Sequence, residues 1–315
     1  MTEIGGYFGL ESFGNHPYYP DLIAVNNARN ALLYLLKARQ IKKLYLPYFL
    51  CDSVAAMCER EGYAYAYYHI DRNFMPIFDQ MPAADEYLYV VNYYGQIRRE
   101  TAIQLQKRYG NLILDNVQAF FQRPIEGMDT VYSCRKFFGV PDGGYVSTDA
   151  VLEEQLLPDI SKDRMEHVLG RFEGSASEYY AAFKENDHSF LSLELRAMSK
   201  LTRNLLGAID YEQVRQRRNA NYALLEQLLG QYNALTLTVP DGPYAYPFYC
   251  EKGMELKKLL AQKKIFVATL WPNVLAMEDT LEKEYAENIL PLPCDQRYEE
   301  TDMQEMVKEI LKCIN

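Results

Sequence analysis

The sequence predicts an α/β fold: a large domain with a mostly parallel sheet between helices, followed by a small C-terminal α/β domain. Three observations carry this. Short apolar strand-like runs alternate with helical segments through the first half, the arrangement that sets parallel strands side by side under crossover helices. The middle is mostly helical and charged. After Pro240 a fresh strand–helix–strand–helix pattern begins, about the size of a small independent unit. The boundary is placed so that residues 1–205 form the large domain and residues 206–315 a connecting helix and the small domain.

In chain order, Asn27 to Ala38 reads as a helix with Ala31, Leu32, Leu35 and Leu36 on one face. Lys43 to Leu46 is a short strand stopped by Pro47. Ser53 to Glu61 is helical and Gly62 ends it, the residue a helix C-terminus favours. Ala64 to His69 and Tyr87 to Asn92 read as strands, Glu100 to Tyr109 as a helix, Leu112 to Leu114 and Tyr145 to Ser147 as strands. Glu153 to Arg203 reads as mostly helical, and Ile209 to Gly230 as one long helix. Tyr246 to Cys250 is a strand, Met254 to Lys263 a helix, Ile265 to Thr269 a strand, and Thr301 to Ile314 a closing helix.

Composition narrows the function. A hydrophobic share of 49% with 24% charged residues is that of a folded globular chain. The formal net charge of -10 argues against a nucleic-acid partner, since phosphate backbones reward clustered Lys and Arg. No apolar run is long enough to span a membrane, and Met1 to Gly6 lacks the pattern of a signal peptide, so a cytoplasmic protein is expected. The six cysteines include no CxxC pair and the four histidines are scattered, so no metal is expected. Among the 27 tyrosines, the clusters Tyr63-Tyr65-Tyr67-Tyr68 and Tyr87-Tyr89-Tyr93-Tyr94 alternate as strands do, which points first to packing and second to sugar stacking.

Three segments carry candidate chemistry. Ser133 to Gly144 places Lys136 among aromatic residues before a turn ending in Gly143-Gly144. Partial desolvation there would favour a neutral amine able to attack a carbonyl; a plain surface lysine fits the same residues. Leu112 to Ala119 puts Asp115 at a strand end with Gln118 three residues on. Such an acid suits the protonated ring nitrogen of a pyridoxal cofactor, and equally suits an ordinary helix N-cap. Asn26 to Leu32 opens a helix with Arg29 in its first turn, where an anion is favoured; simple Asn capping is the alternative.

Together these residues resemble the DegT/StrS-type sugar aminotransferases, enzymes dependent on pyridoxal 5'-phosphate (PLP) with the aspartate-aminotransferase fold. The strand-end Asp115-x-x-Gln118 and Lys136 followed by Gly143-Gly144 match the family pattern. So do Leu46-Pro47-Tyr48-Phe49, Tyr94-Gly95-Gln96, Met198-Ser199 and Leu290-Pro291-Leu292-Pro293, in the family's order from about residue 23 to the C-terminus. The resemblance implies PLP held as an aldimine by Lys136, which would also move the proton during transamination. It implies Asp115 at the ring nitrogen, Gln118 at the ring, and the Asn27-Ala28-Arg29 turn with Ser133 at the phosphate. Tyr48, Phe49 or Cys51 would lie near the ring face. It further implies a homodimer with a shared active site, a keto-sugar substrate that is nucleotide-linked, an amino-acid donor, and a place in sugar or polysaccharide biosynthesis.

Departures from the pattern surround the phosphate and substrate. Asn27-Ala28-Arg29 replaces Ser-Gly-Thr, and Val131 stands where a serine precedes the lysine, with Ser133 as its substitute. Leu195 occupies the place of an asparagine donated to the partner, and Asn92 that of a histidine. Sugar dehydratases of this fold carry histidine at the lysine position, so Lys136 disfavours that chemistry. A PLP-binding relative without catalysis, regulatory or structural, is the alternative function. A cofactor-free interaction module is a third.

Overall fold

The computed structural model describes residues 4–314. Its main sheet contains β1 (Ile23–Val25), β2 (Lys43–Pro47), β3 (Ala64–Ile70), β4 (Pro76–Ile77), β5 (Glu86–Val91), β6 (Leu112–Asp115), β7 (Asp129–Ser133) and β8 (Gly144–Ser147). Their order is β1-β8-β7-β6-β5-β2-β3-β4. Five central strands, β7, β6, β5, β2 and β3, run parallel, while β8 and β4 are antiparallel to their neighbours. This is the expected mostly parallel sheet. Helices α1 (Ala28–Ala38), α2 (Asp52–Glu61) and α3 (Arg99–Tyr109) connect its strands. Gly62 closes α2 with φ 77°, as its position predicts.

The central strands read as nearly continuous apolar runs because helices and loops cover both sheet faces. One core joins α1, α2 and the strands around Leu44, Leu88 and Ile113. A second is rich in aromatic rings, with Tyr19, Phe120, Phe121, Tyr132, Phe137, Phe138 and Tyr145 packed beside Ala24, Cys134, Val140, Met198 and Leu206. The third core lies between α7 (Tyr211–Leu229), α8 (Gly253–Gln262), α10 (Glu300–Ile314) and a two-stranded antiparallel sheet of β9 (Tyr246–Tyr249) and β10 (Ile289–Leu292).

Several expectations need correction. Glu153 to Arg203 is α-helical only in α4 (Glu166–Glu173), α5 (Tyr180–Ser189) and α6 (Lys200–Leu206), with a single 3-10 turn at Lys162–Arg164. The stretch before α6 is extended because Asn26 and Asn30 draw it in, both donating side-chain hydrogen bonds to the Glu194 carbonyl. Ile265 to Thr269 forms no strand: the Ile265 amide turns back to the Leu260 carbonyl at the end of α8 instead of entering a ladder. Strands β1 and β7 were not read from the sequence, although Thr130-Val131-Tyr132 carries the β-branched and aromatic residues of a strand. Between β9 and α10 the chain also forms α9 (Leu281–Asn288).

Candidate active site

The register brings the candidate residues to one edge of the sheet. Asp115, the last residue of β6, pairs with Val91 at the end of β5 and with Val131 on β7. Ser133 ends β7 opposite Gly144, and Gly144 pairs with Val25 at the end of β1. Asn27 and α1 start immediately beyond. In open sheets of this kind, ligands bind outside the carboxyl ends of the strands.

Asp115 is buried at the centre of that edge. No helix follows it, so the N-cap alternative is excluded; its Oδ1 accepts from the Val117 amide at 2.8 Å within a turn. Its Oδ2 accepts from the Tyr89 hydroxyl at 2.7 Å. Burial pushes the carboxyl up to about 6, against the opposing pull of Tyr89, the Val117 amide and the Lys136 ammonium. Asp115 therefore lies within reach of the charge that Lys136 carries. A carboxylate has about four acceptor positions, so two hydrogen bonds leave capacity for a cationic N–H.

Lys136 sits in the tight turn after β7, where Phe137 and Phe138 donate their amides to the Cys134 carbonyl. Those two phenylalanines plug the aromatic core, which turns the lysine outward. Lys136 is exposed, contrary to the expected partial desolvation. Its Nζ lies 5.7 Å from the Tyr244 ring centre, and the side chain lines a cavity of about 770 Å³ with Arg135, His167, Arg218 and Arg297.

Asn27 is the N-cap of α1, with Ala28 and Arg29 in the first turn; its Oδ1 accepts from the Asn30 amide at 2.8 Å. Its Nδ2 is buried without a hydrogen-bond partner. Arg29 makes no ion pair among the described residues, and burial lowers its pKa despite the neighbouring Cys51 and Asp187. Arg135 is likewise lowered, to about 10, by burial and in part by Arg29. An orphaned amide, a guanidinium without an ion pair and a helix N-terminus thus lie within one turn, features that suit an anion. Gly144 makes the cradle: a Cβ there would meet the Asn27-Ala28 peptide at 2.8–2.9 Å.

The remaining expected residues are placed less directly. Gln118 is buried and its Oε1 accepts from the Tyr94 amide at 2.8 Å, fixing a residue with φ 54°. Asn92 binds Asn116, Gln122 and both backbone groups of Ile97, so it organises the same turn. Ser133 is buried at its strand end. Phe49 is packed against Trp271 at 4.4 Å and Tyr93 at 5.5 Å, inside the core. Tyr48 stacks on Tyr67 at 4.7 Å. Cys51 is exposed at the start of α2, accepting from Ser53 Oγ at 3.0 Å.

Sequence reasoning missed Asp142. It is fully buried, accepts from the Ser199 amide and hydroxyl at 3.1 and 3.0 Å and from the Thr202 hydroxyl, and so ties the Gly143-Gly144 turn to the start of α6. That gives Met198-Ser199 its structural meaning. It also missed Tyr89, whose alternation on a tyrosine-rich strand was the available signal.

This sheet, with an acid at the end of β6 and a lysine in the turn after β7, has the fold of PLP-dependent aminotransferases. Among solved structures it is similar to a DegT/DnrJ/EryC1/StrS aminotransferase from Brucella abortus, at 16% identity and TM-score 0.64, covering 93% of this chain and 86% of that one. DesV of S. venezuelae, solved in complex with a ketimine intermediate, gives 17% identity and TM-score 0.64 over 93% and 85% of the two chains. NtdA of Bacillus subtilis, solved with the cofactor PMP, gives 13% and 0.67 over 93% and 73%. No family model and no curated protein matches the sequence.

Proposed function

We propose that this protein is a PLP-dependent aminotransferase that transfers an amino group from an amino-acid donor to a nucleotide-linked keto sugar. The observation that carries it is the convergence of Asp115, Lys136 and the Asn27–Arg29 turn on one sheet edge, in a fold shared with sugar aminotransferases. When bound, PLP supplies an exchangeable carbonyl and an electron sink for the carbon that loses its proton.

The residues divide the work. Asn27 Nδ2, the amides of the first α1 turn and Arg29 would hold the phosphate. Asp115, ionised at neutral pH, would keep the ring nitrogen protonated. Lys136 Nζ would hold the cofactor and then carry the proton between the two carbons that exchange it. The cavity beside Lys136 shares His167, Arg171, Phe183 and Arg297 with a second one of about 1100 Å³ that is also lined by Lys263 and Lys264. Together the two cavities carry Arg135, Lys136, Arg171, Arg218, Arg297, Lys263 and Lys264 against Asp295, Asp302, Glu305 and Glu309, an excess of cations that supports a long, anionic substrate over a free sugar.

In this reading residues 1–205 carry the cofactor and residues 206–315 cover it. A homodimer is supported by α4 and α5, which leave Leu169, Phe172, Tyr180 and Phe183 exposed, an apolar surface that a second copy would cover. Among the described residues no helix is long and apolar enough to cross a membrane.

The test is a spectral titration of PLP-loaded protein with a panel of amino acids, repeated on Lys136→Ala. The wild type should show a visible band that bleaches with the true donor, and the variant should lack that band. A band that persists in the variant would overturn the role of Lys136. A band that no amino donor bleaches would favour the non-catalytic PLP-binding alternative.

A further inference from the structure

Arg218, in the middle of α7, is one of the largest fully buried side chains, at 1% exposure. Among the described residues it forms no ion pair, since the nearby Asp295 carboxylate is held by Arg297 at 2.7 and 2.8 Å. Its guanidinium donates instead to four neutral oxygens. Nε reaches Gln296 Oε1 at 2.8 Å, NH1 the carbonyls of Pro243 at 2.8 Å and Tyr244 at 3.4 Å, and NH2 the Phe137 carbonyl at 3.2 Å. The cation also stacks on the Phe137 ring at 4.6 Å.

A buried cation without a carboxylate is a costly way to fill a core, and an apolar residue of equal size would pack there with less desolvation. What the guanidinium provides is geometry. Its donors form a rigid planar fork, so oxygens bound to it cannot shift independently. Two of those oxygens belong to the residues flanking the Lys136 amine. Phe137 is its neighbour in sequence, and Tyr244 is the residue whose ring lies 5.7 Å from Nζ. The Phe137 carbonyl accepts a second bond from Gln296 Nε2 at 2.8 Å.

We propose that Arg218 is a positioning residue for Lys136, fixing the backbone that carries the lysine and the ring that borders its amine. The inference rests on Lys136 being the cofactor lysine. Arg218 lines the same cavity as Lys136 but makes no hydrogen bond to its amine; it acts through Phe137, Tyr244 and Gln296. Because it springs from α7, the connecting helix is thereby locked to the turn after β7.

The experiment measures covalent capture of PLP at position 136, by borohydride trapping over time and mass mapping, together with the pH midpoint of the visible band. Arg218→Met should remain folded and bind PLP, yet capture it roughly ten- to a hundredfold more slowly with a displaced midpoint, the scale expected of a small misplacement. Added guanidinium ion should restore part of the rate. Gln296→Leu, which removes one of the two donors to Phe137, should show a smaller change in the same direction. If both variants capture at the wild-type rate with an unmoved midpoint, Arg218 does not position the lysine. Should Arg218→Met not fold, Gln296→Leu and Tyr244→Leu decide on the same two measures. Wild-type protein that is not trapped at Lys136 would instead overturn the cofactor-lysine reading, and this inference with it.

Discussion

The Tyr89 hydroxyl donates to Asp115 Oδ2 at 2.7 Å across two neighbouring strands, β5 and β6, in a place closed to solvent. Asp115 is marked in the sequence by its strand-end position, whereas its partner Tyr89 is one tyrosine among many. Together they place an acid that is poised at about 6, close enough to neutral for its ionisation to depend on its partner. Tyr89→Phe removes a hydrogen bond that stabilises the charged form. The carboxyl should then titrate higher, and the acid limb of PLP binding should move up by about one pH unit. Equilibrium binding of PLP between pH 5 and 8 checks this; an unmoved limb would separate Tyr89 from the site.

Asp115 also makes cofactor-free stability depend on pH. Its folded pKa of about 6 lies above the ordinary carboxylate value of 3.8, so its contribution is fully present below about pH 4 and is lost as pH rises through 6. Asp115→Asn should cancel that loss. At pH 7.5 the cofactor-free variant should be more stable than wild type by roughly 2–3 kcal/mol, while binding PLP far more weakly. Denaturant unfolding at pH 4 and 7.5 measures the first effect. A variant no more stable at pH 7.5 would show that the carboxylate is not strained by burial.

At the proposed phosphate turn, Arg29→Met should weaken binding of inorganic phosphate roughly ten- to a hundredfold, the loss expected for a hydrogen bond to a charged group. The readout is the rise in melting temperature of cofactor-free protein on adding phosphate at constant ionic strength. An equal rise in wild type and variant would remove Arg29 from the anion site.

Gly144→Ala should destabilise the fold by about 1–3 kcal/mol, because the new methyl meets the Asn27-Ala28 peptide at 2.8–2.9 Å and must push α1 away from the sheet. Phosphate binding should fall with it. Gly139→Ala is the control: its Cβ would find only Val168 at 3.5 Å, and a change within about 0.5 kcal/mol is expected. Chemical denaturation of both variants compares them.

Much of the architecture was legible in local pattern. Helix α1 and its Asn27 cap, the Gly62 stop, the strand ending at Asp115 and the long helix α7 follow from periodicity and end signals, which are properties of neighbouring residues. Strand β7 was missed because its five residues are all buried and show no alternation. Ile265 to Thr269 looked like a strand because β-propensity does not reveal whether an edge is available to pair with; here the chain closes α8 instead. The exposure of Lys136 was misjudged for a related reason. Aromatic neighbours in sequence suggested a shielded amine, but Phe137 and Phe138 point into the core and leave the lysine outside.

Asp115, Lys136 and the Asn27–Arg29 turn were identifiable as candidates from residue type and spacing alone, since strand ends and helix starts are local features. Their meeting depends on register: β6, β7 and β1 must end at the same edge, which hydrogen bonds between distant segments decide. Arg218 marks the limit of sequence reading. It follows Arg215 and Arg217 on the same helix, and only the packed molecule shows that this guanidinium alone is enclosed, because burial is set by what folds against a side chain rather than by the residues beside it.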